Sequence, residues 1–239
     1  MTGNGTGRVA APFVVAAVVT AAVTAASTFL PDRYVATVVG LVFFGATWLF
    51  VWRGDDEGVE RAGLAFGGAV TRGPLDVRRI APAAWKAVRW AVGMSLLTFG
   101  PFFIGWRLWA AYVWHSHHRF ALSITPLDAM NEIAGQFVII ALPEEAFYRG
   151  YLQSKLDEAW EPRWNVLGAN VGPGLVATAA IFALGHLATV QLPARLAVFF
   201  PALLFGWLRA RTGGIGASVC FHATCNVYSL LLGRGYGLY

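Results

Sequence analysis

From Val9 to Leu30 the chain reads VAAPFVVAAVVTAAVTAASTFL, an uncharged run of about 22 residues where roughly 20 suffice for a helix to cross a bilayer. It is too long for the apolar core of a signal peptide, roughly 7–15 residues, and it carries no clear cleavage site, so it reads as a membrane span. Working outward, runs of the same kind recur at 34–52, 90–106, 127–149, 173–192, 196–208 and 213–232. The sixth is short, and Pro193 and Arg195 divide it from the fifth, which suits a tilted, re-entrant or protein-buried helix. The composition agrees: of 239 residues, 57% are hydrophobic and 13% charged, and the mean hydropathy is +0.57. A water-soluble globule carries about a quarter charged residues. A soluble domain, a disordered chain and a collagen are excluded, and the expected fold is an all-α, polytopic transmembrane bundle of about seven (six to eight) spans.

The formal charge of +5 does not point to nucleic acid, because the basic residues lie in short gaps between apolar runs. The stretch 53–89 holds Arg53, Arg61, Arg72, Arg78, Arg79, Lys86 and Arg89 beside the acidic Asp55, Asp56 and Glu57. The Lys/Arg bias places this loop, and with it the amino terminus, in the cytoplasm. Tryptophans 52, 90, 106, 109, 114 and 207 fall near segment ends, as expected at the headgroup level of the bilayer. Cys220 and Cys225 share one apolar run and build no disulfide framework.

Charge inside a span costs at least about 2.5–3.5 kcal/mol per residue, so each intramembrane ionisable group is a functional candidate. The fourth run closes on Leu142-Pro143-Glu144-Glu145-Ala146-Phe147-Tyr148-Arg149. Glu145 and Arg149 are spaced to pair on one helix face, which by itself also describes a solvated helix end. Glu144 points about 100° away and is free to face a cavity. His186 is the one titratable residue of the fifth run, with Phe182 a turn earlier; His222 and Asn226 share a stripe of the seventh. Two polar groups stacked on one face of a span suggest a shared site, with interhelical hydrogen bonding as the bland alternative, while a lone histidine such as His186 is usually a structural hydrogen-bonder. Helical rise places His222, Asn226 and His186 roughly 12, 18 and 20 Å deep from the cytoplasmic side, levels at which they can meet.

Glu-Glu-x-x-x-Arg at 144–149, Phe-x-x-x-His at 182–186 and His-x-x-x-Asn at 222–226 occur complete and in order. This trio resembles the CAAX protease and bacteriocin-processing family (CPBP, or Abi) of intramembrane proteases, over roughly residues 127–232. The resemblance implies a glutamate-dependent endopeptidase cutting near the carboxyl terminus of a membrane-associated protein or peptide. Glu144 and His186 would activate water, His222 and Asn226 would hold the oxyanion, and Glu145, Arg149 and Phe182 would support them. Residues 121–239 would form the catalytic core and 1–120 a transmembrane scaffold. Leu142 to Gln153 looks most like the members that trim carboxyl-terminal sorting signals, the myxosortases; prenylated CAAX tails and bacteriocin leaders are the other substrates of the family. A composition rich in Ala and Arg suggests a bacterial inner membrane.

No cofactor is required by this scheme. The alternative is a catalytic zinc held by Glu144, His186 and His222, against which stands the lack of a His-Glu-x-x-His pair. His115, His117 and His118 are a second possible metal cluster, read here as an interfacial loop. A transporter or non-catalytic scaffold would use the same polar residues as a relay or as helix glue. A glutamate base working beside histidine predicts activity that falls on acidification within roughly pH 5–8.

Overall fold

The computed structural model describes residues 5–116 and 118–238. Helix α1 (Gly5–Phe29) turns at Leu30 and Pro31 into α2 (Asp32–Thr47), which a π-helical segment extends through Trp48–Trp52. A short α3 (Asp56–Arg61), capped by the Asp55 side chain on the Gly58 N–H at 2.7 Å, sits in the basic loop. Helix α4 (Val77–Tyr112) begins under an Asp76 cap. Next come α5 (Pro126–Gly135), α6 (Leu142–Glu145) and α7 (Ser154–Ala159), joined by π-helical segments at Gln136–Ala141 and Ala146–Gln153 into one continuous rod. Strands β1 (Trp164–Val166) and β2 (Ala169–Val171) make an antiparallel hairpin before α8 (Pro173–Thr189), α9 (Phe199–Thr212) and α10 (Gly216–Gly235).

Each of the seven apolar runs thus coincides with helix, and the protein is an integral membrane protein. Val9–Phe29, Asp32–Trp52 and Val77–Tyr112 are long and apolar enough to cross a bilayer on length and composition alone. Leu41, Leu96, Leu97 and Phe200 are well exposed on the outside of the bundle, which suits lipid and would be costly in water. Two boundaries differ from the sequence reading by ten residues or more. Helix α4 starts at Val77 rather than near 90, and the rod runs on to Ala159 instead of ending at Arg149. The solvated-end reading of the Glu145–Arg149 pair is therefore wrong. Thr125 and Pro126 explain where the rod starts: the threonine hydroxyl accepts the Asp128 N–H at 3.2 Å, and proline fits the first helical position.

Pro143 sits inside the rod and cannot give the N–H that an α-helix would send to Ile139 O. The π segment lies just ahead of this proline, and Gly40 of α2 packs against the same carbonyl. A Cβ at Gly40 would lie 2.6 Å from Ile139 O. Backbone cannot yield as a side-chain tip can, so Gly40→Ala is expected to push α2 off the rod and destabilise by about 1–3 kcal/mol. A lowered thermal midpoint in detergent checks this, and an unchanged midpoint would refute the close packing.

At the basic end the loop 53–76 is pinned to the α9–α10 turn. Gly213 ends α9 in the left-handed conformation (φ 77°), Ile215 N–H donates to Gly63 O at 3.0 Å, and Lys86 Nζ caps Thr212 O at 2.7 Å. At the other end Ala121 N–H donates to Gly235 O, and Arg234 pairs with Glu132 at 2.7 Å. Between them, the core around the rod combines Phe43, Leu64, Phe147, Leu152, Phe182 and Ile215, so α1 and α2 share one apolar cluster with the second half of the chain.

Candidate active site

The rod changes character at its middle. No residue from Pro126 to Ile140 is buried, whereas every residue from Pro143 to Ser154 is. Glu144 and Glu145 stand where the open half meets the closed one. Such a position lets one carboxylate border a cavity while its neighbour lies in the low-dielectric core.

Glu145 faces inward. It is fully buried, its Oε1 lies 3.2 Å from Arg149 Nη1, and the same oxygen takes a 2.9 Å hydrogen bond from His222 Nδ1. Arg149, also fully buried, donates from Nη2 to Ala202 O at 3.0 Å. The rings of Phe182 and Phe205 lie 4.8 and 5.2 Å from its guanidinium carbon and replace part of its lost hydration. An ion pair in this setting survives only with such further partners, because desolvating two charges costs several kcal/mol per ion.

Glu144 turns the other way, as the helical offset predicts. Its side chain keeps 12% exposure, and Oε2 has no hydrogen-bond partner among the described residues. It borders a cavity of about 490 Å³ whose wall includes Gly40, Tyr148, Gly185 and His186. Across from it, His222 Nε2 is 3.9 Å from Glu144 Oε2, beyond a direct bond and within the reach of one bridging water. Phe205 stacks on the imidazole at 4.6 Å and 15° and holds its plane.

His186 lies against Phe182, ring centroids 4.4 Å apart, and its Nδ1 is 3.0 Å from Phe182 O. A carbonyl only accepts, so Nδ1 carries a hydrogen and Nε2 is the ring nitrogen left for a further partner. His186 borders both the Glu144 cavity and a second, more apolar one of about 750 Å³. His222 and Asn226 line that second cavity from one stripe of α10, with Phe99, Phe205 and Phe221 around them. The three motifs are therefore brought together, with Glu145 rather than Glu144 in direct contact with histidine.

Tyr148 was missed by the sequence reading although it lies one turn beyond Glu144. Its ring is buried on the cavity wall and its hydroxyl shares a hydrogen bond with Thr20 of α1. Thr20, Val39 and Gly40 show that α1 and α2 wall the glutamate cavity. His115 and His118 are exposed in the loop between α4 and α5, while His117 lies outside the described residues. Among the described residues no three His, Cys, Asp or Glu side chains gather as a metal site.

No curated protein and no solved structure matches this chain. Residues 126–228, the stretch that holds Glu144, Glu145, His186, His222 and Asn226, match the family described as Type II CAAX prenyl endopeptidase Rce1-like, so this part of the chain is similar to the CAAX-type endopeptidases of the CPBP family.

Proposed function

We propose that the protein is an intramembrane endopeptidase that cuts near the carboxyl terminus of a membrane-associated protein or peptide, with Glu144 as the base that activates water. The observation that carries this reading is the geometry of Glu144: a carboxylate oxygen without a protein partner, at a cavity wall, 3.9 Å from an imidazole nitrogen that a second carboxylate orients.

Water placed between Glu144 and the lone pair of His186 gives its proton to the carboxylate as its oxygen bonds to the scissile carbonyl carbon. The carbonyl electrons move onto oxygen, and Asn226 Nδ2 with His222 Nε2 supplies hydrogen bonds to that oxyanion. Because His222 already gives its Nδ1 hydrogen to Glu145, donation from Nε2 requires the imidazolium form. Collapse of the intermediate breaks the C–N bond, and Glu144 returns the proton to the leaving amine. The apolar cavity beside Asn226 suits the side chains of a membrane segment. The proposed home is a bacterial inner membrane, and the proposed role of residues 1–120 is a scaffold whose α1 and α2 line one wall of the glutamate cavity.

Cleavage of a membrane-anchored reporter by protein reconstituted in vesicles tests this function. Asn226→Ala is expected to lower kcat by about 10²–10³ with little change in KM, the loss typical of one oxyanion donor. A strict chelator is expected to leave the rate unchanged. Loss of activity that zinc restores would replace the water-activating scheme with a metal one, and a normal rate in Asn226→Ala would remove it from the oxyanion site.

A further inference from the structure

The open half of the rod leads away from the basic loop. The Glu144 cavity extends past Val39 to Ser27, Asp32 and Val190, at the turn between α1 and α2. There it meets a larger cavity of about 870 Å³ through the shared residues Ala36, Ile139 and Ile140. That outer cavity carries polar side chains on its wall, among them Ser123, Thr125, Asp128, Asn131 and Gln136, and the Gln136 Oε1 is buried without a partner among the described residues. On the opposite side of Glu144 the rod is sealed: Gln153 Nε2 donates to Gly206 O at 3.3 Å, and Arg209 Nη2 to Ser154 Oγ at 2.7 Å.

Charge assigns the two ends to the two sides of the membrane. The stretch 53–89 carries seven basic residues, and folding adds Lys155, Arg163, Arg209 and Arg211 to that end. The other end carries Arg33, Arg107, Arg119, Arg195 and Arg234. By the Lys/Arg rule the sealed, basic end is cytoplasmic.

We infer that water and the substrate peptide reach Glu144 through the polar opening at the end opposite the basic loop, so that the enzyme cuts membrane-anchored chains on their exoplasmic side. The route runs down about 27 Å of rod from Pro126 at the usual helical rise, most of a bilayer's thickness, so the side of access decides which chains can be cut. Chains whose scissile segment has been exported meet the opening; a tail confined to the cytoplasm meets the sealed face. The identity of the guest as a substrate rests on the protease reading, whereas the side of access does not.

Cysteine labelling in intact cells separates the two. In a background with Cys220 and Cys225 changed to Ala, Asn131→Cys and Ser27→Cys report on the opening, and Gly73→Cys, with open space around it, reports on the basic loop. A membrane-impermeant maleimide is expected to label the first two equally before and after permeabilisation, and Gly73→Cys only after. The reverse pattern overturns the inference. Alkaline phosphatase fused behind Leu238, at the same end as the opening, gives an independent reading in the unaltered chain: it is expected to be active, and an inactive fusion with normal expression overturns the inference. Labelling of Ser27→Cys should also abolish cleavage of an exported, membrane-anchored reporter. If the labelling pattern holds but no variant or wild-type protein cuts any anchored reporter, the access route stands and the protease reading fails.

Discussion

Glu144→Gln is expected to reduce cleavage of a membrane-anchored reporter by about 10²–10⁴-fold, the usual contribution of a general base, and to leave the fold intact. The substitution keeps size and shape and exchanges one carboxylate oxygen for an amide that cannot take the proton of water. Glu144 can be neutralised cheaply because its Oε2 bonds to no protein group and its charge is not needed to hold Arg149, which pairs with Glu145. Equal expression, an unchanged thermal midpoint and a rate at background are therefore expected together. A wild-type rate in this variant would show that another group activates the water, and a lost fold would show that Glu144 is structural.

The helices were legible because a long uncharged run in a bilayer leaves the backbone only its own hydrogen bonds to make. The local pairs were legible for a related reason: helical spacing fixes direction, so Glu145 meets Arg149, and Phe182 meets His186, within one turn. What spacing could not supply is the partner on another helix. His222 reaches Glu145 across 77 residues of sequence, and the wheel argument that sent Glu144 to the cavity gave no reason to choose between the two carboxylates. The extent of the rod was hidden by the same lack. Arg149, Gln153, Asp157 and Glu158 look like a solvated terminus, and the first two are buried only because α9 brings the Ala202 and Gly206 carbonyls to them from 53 residues away. Residues 1–120 carry no motif, and their part in the site appears only when α1 and α2 are seen to line the Glu144 cavity.

Arg149→Met is expected to have the largest effect on stability, a loss of about 3–5 kcal/mol, because it removes one charge of a fully buried pair and leaves the other behind. Methionine fills much of the arginine's volume among Phe182 and Phe205, so packing is largely conserved and the penalty is electrostatic. Glu145 would then face His222 alone, and Ala202 O would lose its donor. A steep fall in the thermal midpoint, or protein recovered only as aggregate, is the expected result. Adding Glu145→Leu to Arg149→Met should recover much of the stability, since both charges are then gone and the site is apolar. Activity should not return with it. His222 would have lost the carboxylate that orients its ring, and Nε2 would no longer be held opposite Glu144. Recovery of both stability and rate in the double variant would show that Glu145 does not position His222, and a single variant as stable as wild type would show that the buried pair contributes nothing to the fold. The split between the two readouts separates the pair's structural part from Glu145's positioning part, and a purely structural pair would not produce it.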